Sequence, residues 1–330
     1  MTRHSYSGSS DFSYCAKKYE LSRIVGWKEK EIRAAQEFGT CIELAVRYFH
    51  ETGDSPREYF CQLWRDIVSL EKNKNMTYSK VEVDAENLEQ IGVEMLQLYM
   101  LRVKDFPYET EGIAFQVNRS KEILPNTDLA GIEFVAYLDM LVKLKLGGEK
   151  LILDCKVSGS KIPDFLVLDP QLQSYAWIEQ TPHVGFLWFE KITRGMKKGS
   201  QVARLDTGEP AIVVKVEKDG FGERIYIIPN KQTPEENAAP ISPDLLTKQK
   251  VYVRIAKIPQ RLIEERGRAI QQDVQRIHEA SKNNFFPQEG SIRFPEKCPI
   301  CPMRGICSGD DELRDKLVQL DTKNDSTISF

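Results

Sequence analysis

The chain has 330 residues and a formal net charge of −3, from 46 Lys and Arg against 49 Asp and Glu. This length allows one large domain or two modest ones, and a hydrophobic content of 41% is enough for a packed core. The charge excludes a globally basic protein, so contact with nucleic acid would need a local patch. No apolar run reaches the roughly 18 residues of a membrane span, and the N-terminus lacks the apolar core of a secretory signal. We therefore expect a soluble, cytoplasmic protein.

The first hundred residues carry helical patterns. Phe38, Ile42 and Val46 recur at helical spacing. Asp84 is placed to cap a second helix, whose apolar stripe runs from Leu88 to Leu101. The N-terminal third is therefore predicted to be helical.

From about residue 112 the pattern changes to period two. The even positions over 132–146 are all apolar, which predicts a strand with one apolar face, while Asp139 lies on the mixed odd face. Gly147 and Gly148 supply a turn, and a second apolar strand over 151–157 follows. These features predict a β-hairpin.

A helix and another strand follow the hairpin. Asp169 and Pro170 provide an N-cap and a first-turn proline for a helix that ends near residue 179. An apolar strand is predicted over 184–189, and an amphipathic helix over 259–281. Between them, residues 191–255 are rich in Gly, Lys and Val. We divide the chain into a core over 1–190, a β-rich insertion over 191–255, a C-terminal segment over 256–312 that completes the core domain, and a polar tail over 313–330.

Two sets of side chains have more than one interpretation. Basic residues near the start of the insertion are either a DNA-backbone contact or a solvated loop; they are Lys191, Arg194, Lys197, Lys198 and Arg204. Four aromatic residues either stack on bases of a single strand or belong to the core; they are Tyr14, Tyr19, Trp177 and Trp188.

The hairpin carries the residues that predict chemistry. Asp154 and Lys156 lie on one face of the second strand, and Asp139 can lie beside them on the first. Two converging carboxylates with an adjacent lysine suit a hard divalent cation such as Mg²⁺. The alternative is a solvent-facing salt bridge between Asp154 and Lys156. Downstream, Gln171 and Tyr175 share one face of the helix that begins at Pro170.

The order and spacing of these motifs resemble the RecB-like nucleases of the PD-(D/E)XK superfamily. The matching motifs are Ala136-x-x-Asp139, Asp154-Cys155-Lys156 and Gln171-x-x-x-Tyr175. The resemblance implies that Asp139, Asp154 and the backbone carbonyl of Cys155 bind metal and that Lys156 is catalytic. It also implies that Gln171 and Tyr175 organise the site or contact DNA. The family pattern usually has glycine at the position of Ala136.

The first motif of the family matches less closely. The family often has a glycine followed four residues later by a metal-binding histidine, and here Glu43 follows Gly39. Glutamate is an oxygen ligand for Mg²⁺ or Mn²⁺, so we expect Glu43 to complete the metal site. The alternative is a surface ion pair between Glu43 and Arg47, four residues apart on a helix.

Seven cysteines are present, and an odd number in a chain of this length argues for reduced thiols rather than a disulfide framework. Cys298, Cys301 and Cys307 form a C-x₂-C-x₅-C cluster, which needs a fourth ligand to hold a metal centre. The segment around Cys15 is similar to the opening of iron–sulfur RecB-like nucleases, including the AddB subunit and the CRISPR-adaptation exonucleases. That resemblance implies a [4Fe–4S] cluster on Cys15 and the three C-terminal cysteines, with structural Zn²⁺ as the alternative. Cys41 and Cys61 are interpreted as ordinary buried thiols.

The expected fold is α/β, with a restriction-endonuclease-like central mixed sheet flanked by helices and an iron–sulfur cluster that joins the N- and C-terminal segments. The expected activity is Mg²⁺- or Mn²⁺-dependent hydrolysis of DNA. The resemblance implies a prokaryotic or phage-encoded exonuclease on single strands or free ends, in recombination, repair, phage replication or CRISPR adaptation, with a protein partner from such a pathway. Two alternatives stay open: a structure-specific endonuclease, and a non-catalytic iron–sulfur DNA-binding subunit.

Overall fold

The structure, a computed structural model, describes most of the chain. The described residues are 3–30, 34–69, 85–123, 127, 129–193, 195–219, 222–231, 233–288 and 298–320. The predicted cap Asp84, the basic residue Arg194 and the end of the polar tail lie outside these ranges.

The elements follow one another in mixed order. The strands are β1 (Arg3–Ser5), β2 (Trp27–Glu29), β3 (Ala114–Glu122), β4 (Glu133–Lys143), β5 (Lys150–Ser158), β6 (His183–Glu190), β7 (Gln201–Arg204), β8 (Pro210–Asp219), β9 (Gly222–Ile228), β10 (Ala239–Ile241), β11 (Leu246–Thr247), β12 (Lys250–Lys257) and β13 (Leu317–Gln319). The helices are α1 (Tyr6–Tyr14), α2 (Ala16–Tyr19), α3 (Ala34–Thr52), α4 (Pro56–Ser69), α5 (Ala85–Arg102), α6 (Pro170–Glu179), α7 (Gln260–Lys282), α8 (Arg304–Ser308) and α9 (Asp311–Arg314).

A mixed sheet forms the centre, in the order β1-β4-β5-β6-β12, with β3 on the other edge of β4. The predicted hairpin is present as β4 and β5, and both turn glycines, Gly147 and Gly148, have positive φ. β5 and β6 are parallel because α6 connects them across one face of the sheet. The α/β architecture with a central mixed sheet flanked by helices is therefore confirmed.

Two hydrophobic cores cover the two faces of this sheet. The first core packs α3, α4 and α5 against side chains such as Leu153 and Phe189, and the second packs α6 and α7 against Ile152 and Phe186. Neighbouring residues of β5 therefore face opposite cores, as the pleat requires. Among the described helices, none combines the length and apolar character that a membrane crossing needs.

One prediction about β4 is wrong. The even positions do not share one face, because Phe134 and Leu138 pack in the second core whereas Met140 and Val142 pack in the first. The alternation changes at Asp139. The alternation of apolar residues in the sequence therefore continues unchanged through Asp139, although the strand changes there which positions face each core.

A second, five-stranded sheet has the order β10-β9-β8-β7-β11. It packs next to α5, where Gln97 donates to the Leu205 carbonyl at 3.1 Å and Thr247 donates to Glu94 at 2.7 Å. β12, in contrast, pairs along its whole length with β6. Residues 250–255, which the sequence analysis assigns to the insertion, therefore belong to the central sheet.

The C-terminal segment returns to the N-terminal segment. β13 pairs antiparallel with β2, and Leu21, Met303 and Leu317 form a small buried cluster. This arrangement brings the beginning and the end of the described chain together on one side of the fold.

Candidate active site

The candidate site lies at a fork in the central sheet. On one edge, β4 pairs first with β1 over Glu133–Val135 and later with β5 over Met140–Lys143. In the described chain, residues 136–139 have no strand paired on that edge. The carboxylate of Asp139 fills this position, since its Oδ2 accepts a hydrogen bond from the Cys155 backbone N–H at 2.9 Å. Asp139 therefore holds β5 at the point where the two strands separate.

Asp154 and Lys156 lie beyond the fork on β5. Asp154 is 1% exposed, and its Oδ2 is 2.6 Å from Lys156 Nζ. This contact is a short ion pair between the Lys156 ammonium and a buried carboxylate oxygen. A buried carboxylate needs an opposite charge beside it, and Lys156 supplies that charge.

The helix α6 supplies the other predicted side chains. Asp169 caps α6 by accepting from the N–H groups of Gln171 and Leu172, both at 2.9 Å. Gln171 Nε2 donates to Tyr175 Oη at 2.7 Å, and Tyr175 Oη lies 3.5 Å from Asp154 Oδ1. The structure thus connects Gln171 and Tyr175 to Asp154.

Glu43 approaches from α3, on the other side of the fork. Its carboxylate accepts a hydrogen bond from the Gln116 side chain. Arg47, the alternative partner, forms an ion pair with Glu51 at 2.7 Å. Gln116 has a φ of +48°, which is unusual for a residue other than glycine, and it faces the break at Asp139. Sequence reasoning missed Gln116, because nothing in the pattern of β3 marks it.

The three carboxylates are close enough for their charges to repel one another. Burial raises the pKa of Asp154 to about 7 against the lowering effect of Lys156, and Asp139 adds to the rise. Burial and the charge of Glu43 raise the pKa of Asp139 to about 6. Burial also raises the pKa of Glu43, where the Gln116 hydrogen bond opposes the shift and Asp154 adds to it. The site therefore concentrates negative charge that a cation would neutralise.

Lys156 keeps its proton in this setting. Burial works against its charge, but the carboxylates of Asp154 and Asp139 outweigh burial and raise the pKa of Lys156. The side chain is therefore an ammonium group at neutral pH. It can donate hydrogen bonds and stabilise negative charge, but it cannot accept a proton.

These residues fit a divalent cation by their chemistry. Carboxylate oxygens are the ligands that Mg²⁺ and Mn²⁺ prefer, and the carboxylates at the fork are close enough to affect one another's pKa values. In the part of the chain that the structure describes, no three His, Cys, Asp or Glu side chains are closed tightly enough to hold an ion as they stand. Binding would therefore require Glu43, Asp139 and Asp154 to move closer together.

The four predicted cluster cysteines also lie near one another. Burial raises the pKa of Cys301 and Cys307, and the thiols of Cys15 and Cys298 add to both shifts. All four are free thiols. They are neighbours without a closed set of ligands among the described residues.

The other candidate DNA contacts are largely occupied. Lys198 forms an ion pair with Glu235 at 2.8 Å, and Arg204 forms one with Asp206 at 2.6 Å. Lys191 lies over the Phe38 ring. Three of the four candidate aromatic residues are buried; they are Tyr19, Trp177 and Trp188. Among the described members of these two sets, the three buried rings are not available for stacking, whereas Lys197 and Lys198 are exposed.

Comparison with known proteins identifies the family to which this chain belongs. A search of curated protein sequences gave no match. The crystal structure of a "Putative exonuclease" from Eubacterium rectale is similar at 14% identity and a TM-score of 0.43, over 87% of this chain and 84% of that one. The crystal structure of the protein SSO0001 is similar at 13% identity and a TM-score of 0.30, over 85% of this chain and 87% of that one. The family profile of the PD-(D/E)XK nucleases matches residues 3–308. The chain belongs to the PD-(D/E)XK nuclease superfamily.

Proposed function

We propose that this protein is a Mg²⁺- or Mn²⁺-dependent deoxyribonuclease, and that it acts as an exonuclease on single strands or free DNA ends. The observation that carries the proposal is the proximity of Glu43, Asp139 and Asp154 at the fork, with Lys156 in contact with Asp154. Membership of a nuclease superfamily supports it. The pathway we propose is recombination, repair, phage replication or CRISPR adaptation, as the motif resemblance implies.

The three carboxylates and the carbonyl of Cys155 are the proposed metal ligands. When bound, a divalent cation supplies Lewis-acid activation of water and neutralises charge on the scissile phosphate. Asp139 would contribute an oxygen, and its Oδ2 accepts the hydrogen bond from the Cys155 N–H. Asp154 would contribute a carboxylate oxygen beside the Lys156 ammonium.

Lys156 is the proposed catalytic cation. Its ammonium group donates hydrogen bonds to the attacking water and to the phosphate oxygens, where negative charge grows in the transition state. In this proposal the ammonium group orients the water and stabilises charge, and it does not act as the base that removes a proton.

Gln171 and Tyr175 have a positioning role in this proposal. Gln171 donates to Tyr175, and the Tyr175 hydroxyl approaches Asp154 Oδ1. Lys156 contacts the other oxygen, Oδ2, so the two oxygens of Asp154 are held from different sides. Burial and Asp154 raise the pKa of Tyr175, so its hydroxyl stays neutral and can donate.

The test is cleavage of end-labelled linear and closed circular single-stranded DNA, with Mg²⁺ or Mn²⁺, by anaerobically purified protein. We expect loss of linear DNA only. Lys156→Ala should lower the rate by at least about a hundredfold, whereas Lys143→Ala, an exposed lysine at the end of β4, should leave the rate unchanged. Cleavage of the circle would instead support an endonuclease. A folded protein that binds DNA but cleaves none of it with either metal would support the non-catalytic subunit and refute the proposal.

We also propose that Cys15, Cys298, Cys301 and Cys307 bind a structural [4Fe–4S] cluster, with Zn²⁺ as the alternative. The effect of the neighbouring thiols on the pKa values of Cys301 and Cys307 places the four close together and supports this set. The pairing of β2 with β13 brings the two cysteine-bearing segments together, which supports a role for the cluster in joining them.

A further inference from the structure

The loop between β5 and α6 presents two large apolar side chains to solvent. Phe165 is 72% exposed and Leu168 is 61% exposed. They flank a 3₁₀ turn in which the Leu168 N–H donates to the Phe165 carbonyl at 3.0 Å. Because side chains three residues apart in such a turn lie on the same side, these two residues form one surface, here called the apolar pair.

The backbone beneath the apolar pair is firmly held. The Arg254 guanidinium donates to the carbonyls of Pro163 at 3.2 Å and Asp164 at 3.1 Å. On the other side of the turn, Gln173 Nε2 donates to the Val167 carbonyl at 2.7 Å. The two side chains are therefore exposed on an ordered support, and a ligand that meets them needs little ordering of the loop.

The apolar pair borders the candidate active site at both ends of the loop. The loop follows β5, which carries Asp154 and Lys156, and leads into α6, which carries Gln171 and Tyr175. Asp169, directly after the apolar pair, accepts from the Gln171 N–H at 2.9 Å. The Gln171 side chain in turn donates to Tyr175, whose hydroxyl lies 3.5 Å from Asp154 Oδ1. A nucleic acid strand whose phosphate lies at Asp154 would thus have its nucleosides beside the apolar pair.

We infer that the apolar pair binds a nucleobase next to the scissile phosphate, in a single-stranded or frayed DNA end. This inference rests on the proposed function. The carboxylates would act at the phosphate of the DNA, and the apolar pair would bind the adjacent base. Nucleobases have apolar faces that stack on aromatic rings, whereas in a duplex those faces are covered by neighbouring bases. Such contact would select unpaired ends over paired DNA. The buried tryptophans Trp177 and Trp188 cannot serve this purpose.

The test combines protein and DNA changes in one cycle. Single-stranded oligonucleotides with one abasic nucleotide at successive positions are compared by kcat/KM of cleavage, and by Kd in the Lys156→Ala background. With the unchanged protein, we expect the abasic nucleotide at one position to weaken both quantities about tenfold. Phe165→Ala should weaken them about tenfold on intact DNA and show no further loss at that position.

Matched variants separate stacking from general effects. Phe285→Ala removes an equally exposed ring, 67% exposed, after α7 and should behave as the unchanged protein. Phe165→Trp should retain the effect of the abasic nucleotide. If Phe165→Ala cleaves and binds like Phe285→Ala, or if its abasic penalty is undiminished, the inference is wrong and the apolar pair serves some other contact. If the protein binds with the expected base dependence but does not cleave, the proposed catalysis fails and the apolar pair stands.

Discussion

Replacing Asp154 with asparagine should make the metal-free protein more stable while abolishing cleavage. The carboxyl of Asp154 has a pKa of about 7 in the fold against an ordinary value of 3.8. Since one pKa unit corresponds to about 1.4 kcal/mol, keeping this group ionised at pH 8 costs at most about 4 kcal/mol. The amide removes that cost but weakens the contact with Lys156, so we expect a net gain of about 2 kcal/mol, or about 3 °C in Tm for a chain of this size.

The gain should depend on pH. Because the folded pKa of Asp154 is raised, the folded state binds more protons than the unfolded state between pH 3.8 and about 7. The stability of the unchanged protein therefore falls as pH rises through this window, and the advantage of Asp154→Asn should be larger at pH 8 than at pH 5.

Thermal unfolding in metal-free buffer at both pH values measures the effect. Asp206→Asn, which alters an exposed carboxylate beside Arg204, should give no gain at either pH and serves as the control. Adding Mg²⁺ should raise the Tm of the unchanged protein and leave that of Asp154→Asn nearly unaffected. If Asp154→Asn unfolds at a lower temperature than the unchanged protein at pH 8 without metal, Lys156 stabilises the ionised carboxylate and our account of the site is refuted.

Three further predictions concern other parts of the fold. Burial lowers the pKa of His50 to about 4, and its Nε2 lies 2.6 Å from Tyr99 Oη. The free energy of unfolding should therefore fall by about 1–2 kcal/mol as the pH falls from 6.5 to 5, and urea unfolding should show a smaller loss in His50→Gln. Gly267→Ala should destabilise the protein by about 1–3 kcal/mol, because the added methyl group would overlap the Trp177 ring. Gly39→Ala has open space around it in α3 and should stabilise the protein by about 0.5–1 kcal/mol. Equal shifts in the unfolding midpoints of the two variants would contradict the packing of α6 on α7. Cys15→Ser should lose iron, sulfide and visible absorbance after anaerobic purification while Cys61→Ser keeps them, and iron retention by Cys15→Ser would remove Cys15 from the proposed ligands.

The elements of the central sheet could be predicted because their signals are local. Alternation and the Gly147-Gly148 turn predicted β4 and β5, and Asp169-Pro170 predicted the start of α6. The pairing of β12 with β6 could not be predicted, since a strand's partner depends on contacts distant in the chain and not on its own pattern. The same reason explains why residues 250–255 were assigned to the insertion.

The predicted site residues are brought together, but the reason they meet was not visible in the sequence. Spacing indicated that Asp154 and Lys156 share a face and that Gln171 lies near Tyr175. Exposure was harder to predict, because Trp188 and Phe165 both occur in apolar stretches yet one is buried and the other is 72% exposed. Hydrogen bonds from Arg254 and Gln173, which are distant in the sequence or follow the loop, fix the backbone that carries Phe165.

The fork in the sheet explains why the carboxylates can converge at all. β4 and β5 pair as far as Met140 and Leu153. In a regular antiparallel ladder the next pair would be Asp139 and Asp154, and the two strands would stay paired there instead of separating. The break in alternation at Asp139, with Gln116 in an unusual backbone conformation opposite, moves the Asp139 carboxylate into the gap, where it replaces the missing backbone partner of Cys155. Gln116 at the same time holds Glu43 from the other side. Regular strand pairing is therefore interrupted at one position. The contacts that replace it, made by Asp139 and Gln116, place three carboxylates near one another where the proposed metal would bind.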